Sequence, residues 1–132
     1  MKTILVDAVD AFVIEENDSF KIFEDMYKLL EDFPNRKILL TGANDKQFKE
    51  FGLDNMPYEV FTLKHNPEKT SPKYYETMLS HFGLSKEEAV YFEHNFEAVK
   101  SAQSVGIKTY FYNADKKDLV ALKKFLSENA GI

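Results

Sequence analysis

The chain has 132 residues, 44% hydrophobic and 30% charged, a balance that fits one domain with one core and speaks against a disordered chain. It has no cysteine, which excludes disulfides and thiolate zinc sites. Its net charge of -5, from 17 Lys plus Arg against 22 Asp plus Glu, makes nucleic acid an unexpected partner, because phosphate backbones want a basic face.

The first apolar run, Ile4-Leu5-Val6, predicts a buried strand over 3–8. Asp7 and Asp10 interrupt it too early for a signal peptide, and no run approaches the ~20 apolar residues of a membrane span. A cytoplasmic protein without membrane partners is expected. Ser19 suits a helix N-cap, and Ile22, Phe23, Met26, Tyr27, Leu29, Leu30 and Phe33 then recur at helical spacing until Pro34-Asn35. A second strand is predicted over 37–40. Asn44 and Gln47 form a capping-box pair ahead of a short helix that Gly52 stops. A third strand is predicted over 58–63. Ser71-Pro72 opens a helix that runs to Gly83, and Ser85 and Glu88 make another capping box. A fourth strand is predicted over 89–92, a helix over 95–104, and a fifth strand over 108–112 after Gly106. Asp115 is read as the cap of a final helix with Leu119, Val120, Leu122 and Phe125 on its apolar face.

Strands separated by helices imply a parallel sheet covered on both faces, an α/β Rossmann-like three-layer sandwich formed by residues 1–132 as a single domain. Reactive groups in such sheets gather at the carboxyl ends of the strands. The polar residues fall there. Asp7 and Asp10 follow strand one, Thr41-Gly42 strand two, Lys64 and Lys69 strand three, and Glu93, His94 and Asn95 strand four. Any one of them is as well explained as an ordinary loop residue. As a set they suit phosphoryl transfer. A carboxylate can attack phosphorus, a hydroxyl and a lysine can hold the phosphoryl oxygens, and acidic groups can hold magnesium.

Four segments in this order resemble the motifs of the haloacid dehalogenase-like (HAD) superfamily, over nearly the whole chain. Ile4-Leu5-Val6-Asp7 is similar to its first motif, Leu39-Leu40-Thr41-Gly42 to its second, Lys69-Thr70-Ser71-Pro72 to its third and Tyr91-Phe92-Glu93-His94 to its fourth. The resemblance implies an aspartyl nucleophile at Asp7, phosphoryl contacts from Thr41 and Lys69, and a Mg2+ site made by Asp7, the Val9 backbone carbonyl, Glu93 and His94. It implies a five-stranded sheet in the order 5-4-1-2-3, which right-handed crossovers permit. It leaves no room for a cap domain, because the segments after strands one and three are short. Capless members take large substrates or use a neighbouring subunit as a lid, so an oligomer stays open, with Phe12, Tyr58, Phe61 and Phe96 as interface candidates. Core packing is the commoner role for such aromatics.

Two departures bear on activity. The pattern carries a second aspartate two residues after the nucleophile, which protonates the leaving oxygen and then activates water. Val9 stands there and can do no acid–base work, and Asp10, one residue on, is expected to point elsewhere. The paired acids of the fourth motif become Glu93-His94, and neutral histidine is a poor magnesium ligand. Between the lysines, Lys69 fits the third-motif spacing better than Lys64. His65 is expected in solvent, and His81 near a helix end is read as structural. A phosphorylated substrate or ligand is the implied partner. Three readings stay open: an active phosphohydrolase using Asp7 with an unusual acid–base group, an inactive relative that binds a phospho-ligand or a protein, and a metal-independent HAD hydrolase with other leaving-group chemistry. A response-regulator receiver domain has a similar architecture, but it needs an aspartate after strand three, where Thr62-Leu63-Lys64 offers none.

Overall fold

Five short apolar segments pair edge to edge as a parallel sheet in a computed structural model that describes residues 1–131. The chain begins with β1 (Thr3–Asp7), the hairpin β2 (Val13–Glu16) and β3 (Ser19–Ile22), and helix α1 (Glu24–Glu31). It continues through β4 (Lys37–Thr41), α2 (Asp45–Glu50), β5 (Glu59–Thr62) and α3 (Pro72–Phe82). It ends with β6 (Ala89–Glu93), α4 (Phe96–Val105), β7 (Lys108–Phe111) and α5 (Leu119–Asn129). The sheet order is β5-β4-β1-β6-β7, with every pairing parallel. Numbered among sheet strands only and read from the other edge, this is 5-4-1-2-3. The labels shift because the hairpin, which is paired only with itself, is counted.

β1 lies in the middle of the sheet, and all five of its residues are buried. Alternation sends its side chains to two cores. Ile4 and Val6 join Met26 and Leu30 of α1 and Leu122 and Leu126 of α5 on one face. Leu5 joins Ile38, Leu40 and Tyr91 beneath Tyr74, Tyr75 and Met78 of α3 on the other. Both faces are covered, which is why β1 and β6 read as continuous apolar runs rather than alternating ones.

The hairpin overturns the first helix boundary. Ser19 starts β3 and caps no helix; its hydroxyl donates to the Glu16 carbonyl across the turn. Asn17 and Asp18 both adopt left-handed conformations, with φ of 54° and 63°. That is the backbone of a two-residue turn whose twist matches its strands, and Asn and Asp tolerate it. The helical spacing is real only from Phe23 onward. The hairpin is no separate module: Val13 is buried in the core, and Phe20 packs edge-on against Phe51, with ring centroids 4.6 Å apart. Between β5 and α3 there is only the loop 63–71.

The other boundaries follow local chemistry. The Asn44–Gln47 and Ser85–Glu88 capping boxes both form, the second on a single 3-10 turn. The Ser71 hydroxyl accepts from Lys73 N at the start of α3, and Gly83 ends that helix at φ 65°. The last helix is capped by Asp118, not Asp115; the Asp118 carboxylate accepts from Ala121 N at 3.0 Å. Its buried face centres on Leu122 and Leu126, with Leu119 and Phe125 half-buried against the same core, and only Val120 of the expected face is left out, 83% exposed. No helix among the described residues is long and apolar enough to cross a membrane.

Asn35 ties the chain ends together. Its buried side chain donates to the Lys2 carbonyl at 2.7 Å and the Ala130 carbonyl at 3.0 Å. Asn35→Ala takes this donor from both carbonyls, though Ala130 keeps its bond from Lys2 N, and should cost about 1–3 kcal/mol, read as a lower urea midpoint. An unchanged midpoint would show that water replaces the amide freely.

Candidate active site

Three adjacent strands, β1, β4 and β6, end in Asp7, Thr41 and Glu93, all buried and all at the carboxyl end of the sheet. The loop before α3 brings Lys69 over them. Its Nζ lies 2.8 Å from Asp7 Oδ1, 2.6 Å from Glu93 Oε1 and 3.3 Å from the Leu40 carbonyl. The Ser71 cap fixes where α3 starts, and so fixes the reach of the lysine two residues before it. Lys64 points away and pairs with exposed Asp45 at 3.0 Å.

Past β6 the chain turns so that His94 meets Asp7. The His94 backbone N–H donates to Asp7 Oδ2 at 3.1 Å, and ring Nδ1 donates to the same oxygen. Nδ1 also lies 3.3 Å from Glu93 Oε2. Glu93 accepts from Tyr91 OH at Oε1 and from Asn95 N at Oε2, the latter at 3.0 Å. Thr41 Oγ1 accepts from Ala43 N at 3.2 Å, which aims the hydroxyl end of β4 into the same space.

Asp7, Val9, Asp10, Thr41, Lys69 and His94 all line one open crevice of about 220 Å³. That is below the ~300–1,000 Å³ of sites that take drug-sized ligands. A phosphate group is of a scale it can hold.

Charge within the site is strongly coupled. Burial and the neighbouring Glu93 carboxylate push the Asp7 carboxyl up, against the pull of Lys69 and His94. Burial also pushes Glu93 up, but Lys69 and the hydrogen bonds from His94 and Tyr91 outweigh it and hold Glu93 well below the usual carboxylate range. Burial opposes the Lys69 charge, yet Asp7 and Glu93 keep the ammonium well above its ordinary value. Hydrogen bonds to Asp7 and Glu93 raise the His94 imidazole to about 10.

One residue lies where sequence reasoning did not place it, and a second has a role it did not assign. Asp10 does not point elsewhere: it lines the crevice mouth, with Oδ2 3.7 Å from His94 Nε2. Its φ of 74° is left-handed, so the strand's alternation has already broken there and could not orient it. His65 is exposed, as expected, but it is not without partners. It lines the opposite wall, with Nε2 2.5 Å from Gln47 Oε1 and Nδ1 2.6 Å from Glu68 Oε1. The signal for it is weak, since Lys64 and His65 both take left-handed φ that no spacing rule anticipates. His81 packs against the Phe61 and Phe82 rings at 5.2 and 4.7 Å, a structural place. Of the aromatics considered for an interface, Phe12 and Phe61 are buried, Tyr58 is half-buried, and Phe96 is 56% exposed against Phe111.

The implied magnesium can be tested against these donors. Ligand atoms of Asp7, Glu93 and His94 do lie within 4.8 Å of one another, and Val9 is at hand. But Lys69 bridges the two carboxylates, and the face of Asp7 that could meet a metal is taken by the His94 ring. Mg2+ wants hard oxygens in octahedral array and binds imidazole poorly. The residues as arranged do not fit a magnesium ion unless Lys69 or His94 is displaced.

No protein-family model and no curated protein matches the chain. Solved structures do. A HAD family enzyme from Bacteroides thetaiotaomicron, a mutant in complex with magnesium and inorganic phosphate, aligns with TM-score 0.70 at 14% identity, covering 86% of this chain and 95% of that one. The D,D-heptose 1,7-bisphosphate phosphatase of B. bronchiseptica, with magnesium and phosphate, aligns with TM-score 0.69 at 14% identity over 97% and 99%. A HAD-superfamily hydrolase from Ehrlichia chaffeensis aligns with TM-score 0.64 at 15% identity over 87% and 62%. At these identities the likeness establishes the fold alone, one that these HAD enzymes share.

Proposed function

We propose that this HAD-like domain is a phosphohydrolase-type site in which Asp7 is the nucleophile toward a phosphomonoester, with its turnover limited by the missing proton shuttle. One observation carries the reading. Asp7, Thr41, Lys69 and Glu93 converge, from three strand ends and one loop, on a crevice of phosphate size. Neighbours of the same fold were solved with inorganic phosphate, which supports the ligand class.

In this reading a phosphoryl group sits between Lys69 and the Thr41 hydroxyl. An Asp7 oxygen forms a bond to phosphorus as the leaving oxygen departs, giving an aspartyl-phosphate that water then hydrolyses. Lys69 offsets charge that builds on the phosphoryl oxygens. Glu93 holds Lys69 in place, and Tyr91 and Asn95 hold Glu93. The leaving oxygen needs a proton that Val9 cannot give, so it comes from water or from another group in the crevice.

A second reading has its own observation. Both oxygens of Asp7 are already engaged, one by Lys69 and one by His94, which suits a site that binds a phospho-ligand and does not turn it over. Hydrolysis of a phosphomonoester by the wild type and by Asp7→Asn separates the two. Slow turnover abolished in Asp7→Asn supports the nucleophile. Turnover that survives Asp7→Asn removes it. Phosphate binding with no turnover in either chain leaves the binding reading.

A further inference from the structure

We propose that the crevice takes a phosphate group without a divalent cation, because Lys69 and His94 stand where a cation would serve the two carboxylates; this rests on the phosphomonoester reading above.

The first ground is donor saturation. Asp7 Oδ1 accepts from Lys69, and Asp7 Oδ2 accepts from the His94 backbone and ring. Glu93 Oε1 meets Lys69 and Tyr91 OH, and Glu93 Oε2 meets Asn95 N and His94 Nδ1. No oxygen of either carboxylate is left without a proton donor. A metal ion would have to evict a hydrogen-bond donor from each group it touched.

The second ground is the His94 ring. Nδ1 faces two carboxylate oxygens, which can only accept while ionised, so it carries its hydrogen in either charge state of the imidazole. A metal could use that nitrogen only after stripping the hydrogen. Nε2 faces the third carboxylate, Asp10, at 3.7 Å.

The third ground is charge. With acids at positions 9 and 94, as the motif pattern has them, four carboxylates and the Lys69 ammonium would sum to -3, enough to attract a divalent ion. Here Asp7 and Glu93 against Lys69 sum to -1 with His94 neutral and to zero with its imidazole protonated, in a place where both carboxylates are 1% exposed. The two departures from the pattern are therefore one change. Together they remove at least two units of negative charge, and with them the electrostatic reason for an ion carrying two positive ones. A phosphate entering the crevice instead meets Lys69 and His94 as its donors. Both can turn from the carboxylates to the phosphoryl oxygens while staying in the site.

The test is calorimetric titration of the wild-type protein with inorganic phosphate, once with EDTA and once with excess magnesium. Affinities within about twofold of each other are expected. A Mn2+ titration followed by electron paramagnetic resonance should find no saturable site in the wild type. The Val9→Asp/His94→Asp double variant, which returns both acids, should gain one, and its phosphate affinity should rise at least about tenfold on adding the metal. Phosphate bound by the wild type only with magnesium, or Mn2+ held saturably by the wild type, overturns the inference and leaves the phosphomonoester reading standing. Phosphate bound under neither condition removes both. If the double variant does not fold, the two wild-type titrations still decide.

Discussion

Lys69→Met should unfold at a much lower urea concentration than the wild type near neutral pH, a loss of about 3–5 kcal/mol, with the deficit shrinking in acid. The lysine is the cation shared by two carboxylates that are each 1% exposed. Removing it leaves two buried like charges with only His94 to answer them. The pH dependence follows from the sign of each shift. In the wild type Glu93 titrates below its ordinary value of 4.5, with Lys69 the largest of the influences that lower it. Its contribution to stability is therefore present above that value and is lost as pH falls through the lower folded value. In Lys69→Met that pull is gone, while burial and the Asp7–Glu93 repulsion remain. Asp7, already raised, then titrates higher still, and Glu93 loses the largest of its lowering influences while keeping those of His94 and Tyr91, so the variant binds protons more readily than the wild type and recovers stability relative to it as pH falls. The difference between the two chains should be widest in mild alkali and smallest near pH 4. A variant that matches the wild type at pH 8 would show that water, and not Lys69, compensates these carboxylates.

This ion cluster was legible in the sequence because regular elements deliver it. Three strands end where continuous apolar runs stop, at Asp7, Thr41 and Glu93, and the Ser71-Pro72 helix start measures out the loop that carries Lys69. Residues delivered by irregular backbone were not legible. Asp10 sits one step beyond a broken alternation, and His65 follows another left-handed residue. The hairpin was hidden by competition between two signals. Asn17-Asp18 is a two-residue turn, but the helical spacing from Phe23 to Phe33 extends backwards onto Ile22 by chance, and Ser19 then looks like its cap. The final helix shows the same weakness on a smaller scale: Asp115 and Asp118 are both acceptable caps by type, and packing of Leu122 and Leu126 chooses the second. The contact between His94 and Asp7 spans 87 residues of chain and has no local signature at all. Sequence reasoning could say that an acid was missing at position 94, but not that its replacement would bond the nucleophile.

Val9→Asp should raise phosphomonoester hydrolysis by a factor of about 10² to 10⁴, the usual worth of general acid–base help. Val9 lines the crevice two residues after Asp7, so a carboxylate there can protonate the departing oxygen and afterwards take a proton from the attacking water. The size of the gain should depend on the leaving group. An alkyl phosphate expels a strongly basic alkoxide that needs the proton, and it should show most of the increase. A nitrophenyl phosphate expels a weakly basic phenolate and should gain far less in the cleavage step. A merely structural effect of the substitution would move both substrates equally, so equal gains count against a proton shuttle. The gain should also persist in EDTA, because this single change restores one acid while His94 keeps its bond to Asp7. A gain that appears only with magnesium would mean that the new carboxylate had rebuilt a metal site, and would place the cation, not the proton, as the missing part. If neither substrate gains under either condition, the two bonds that hold Asp7 limit the reaction. Adding His94→Asp to Val9→Asp, which releases one of those bonds, should then restore turnover where Val9→Asp alone did not.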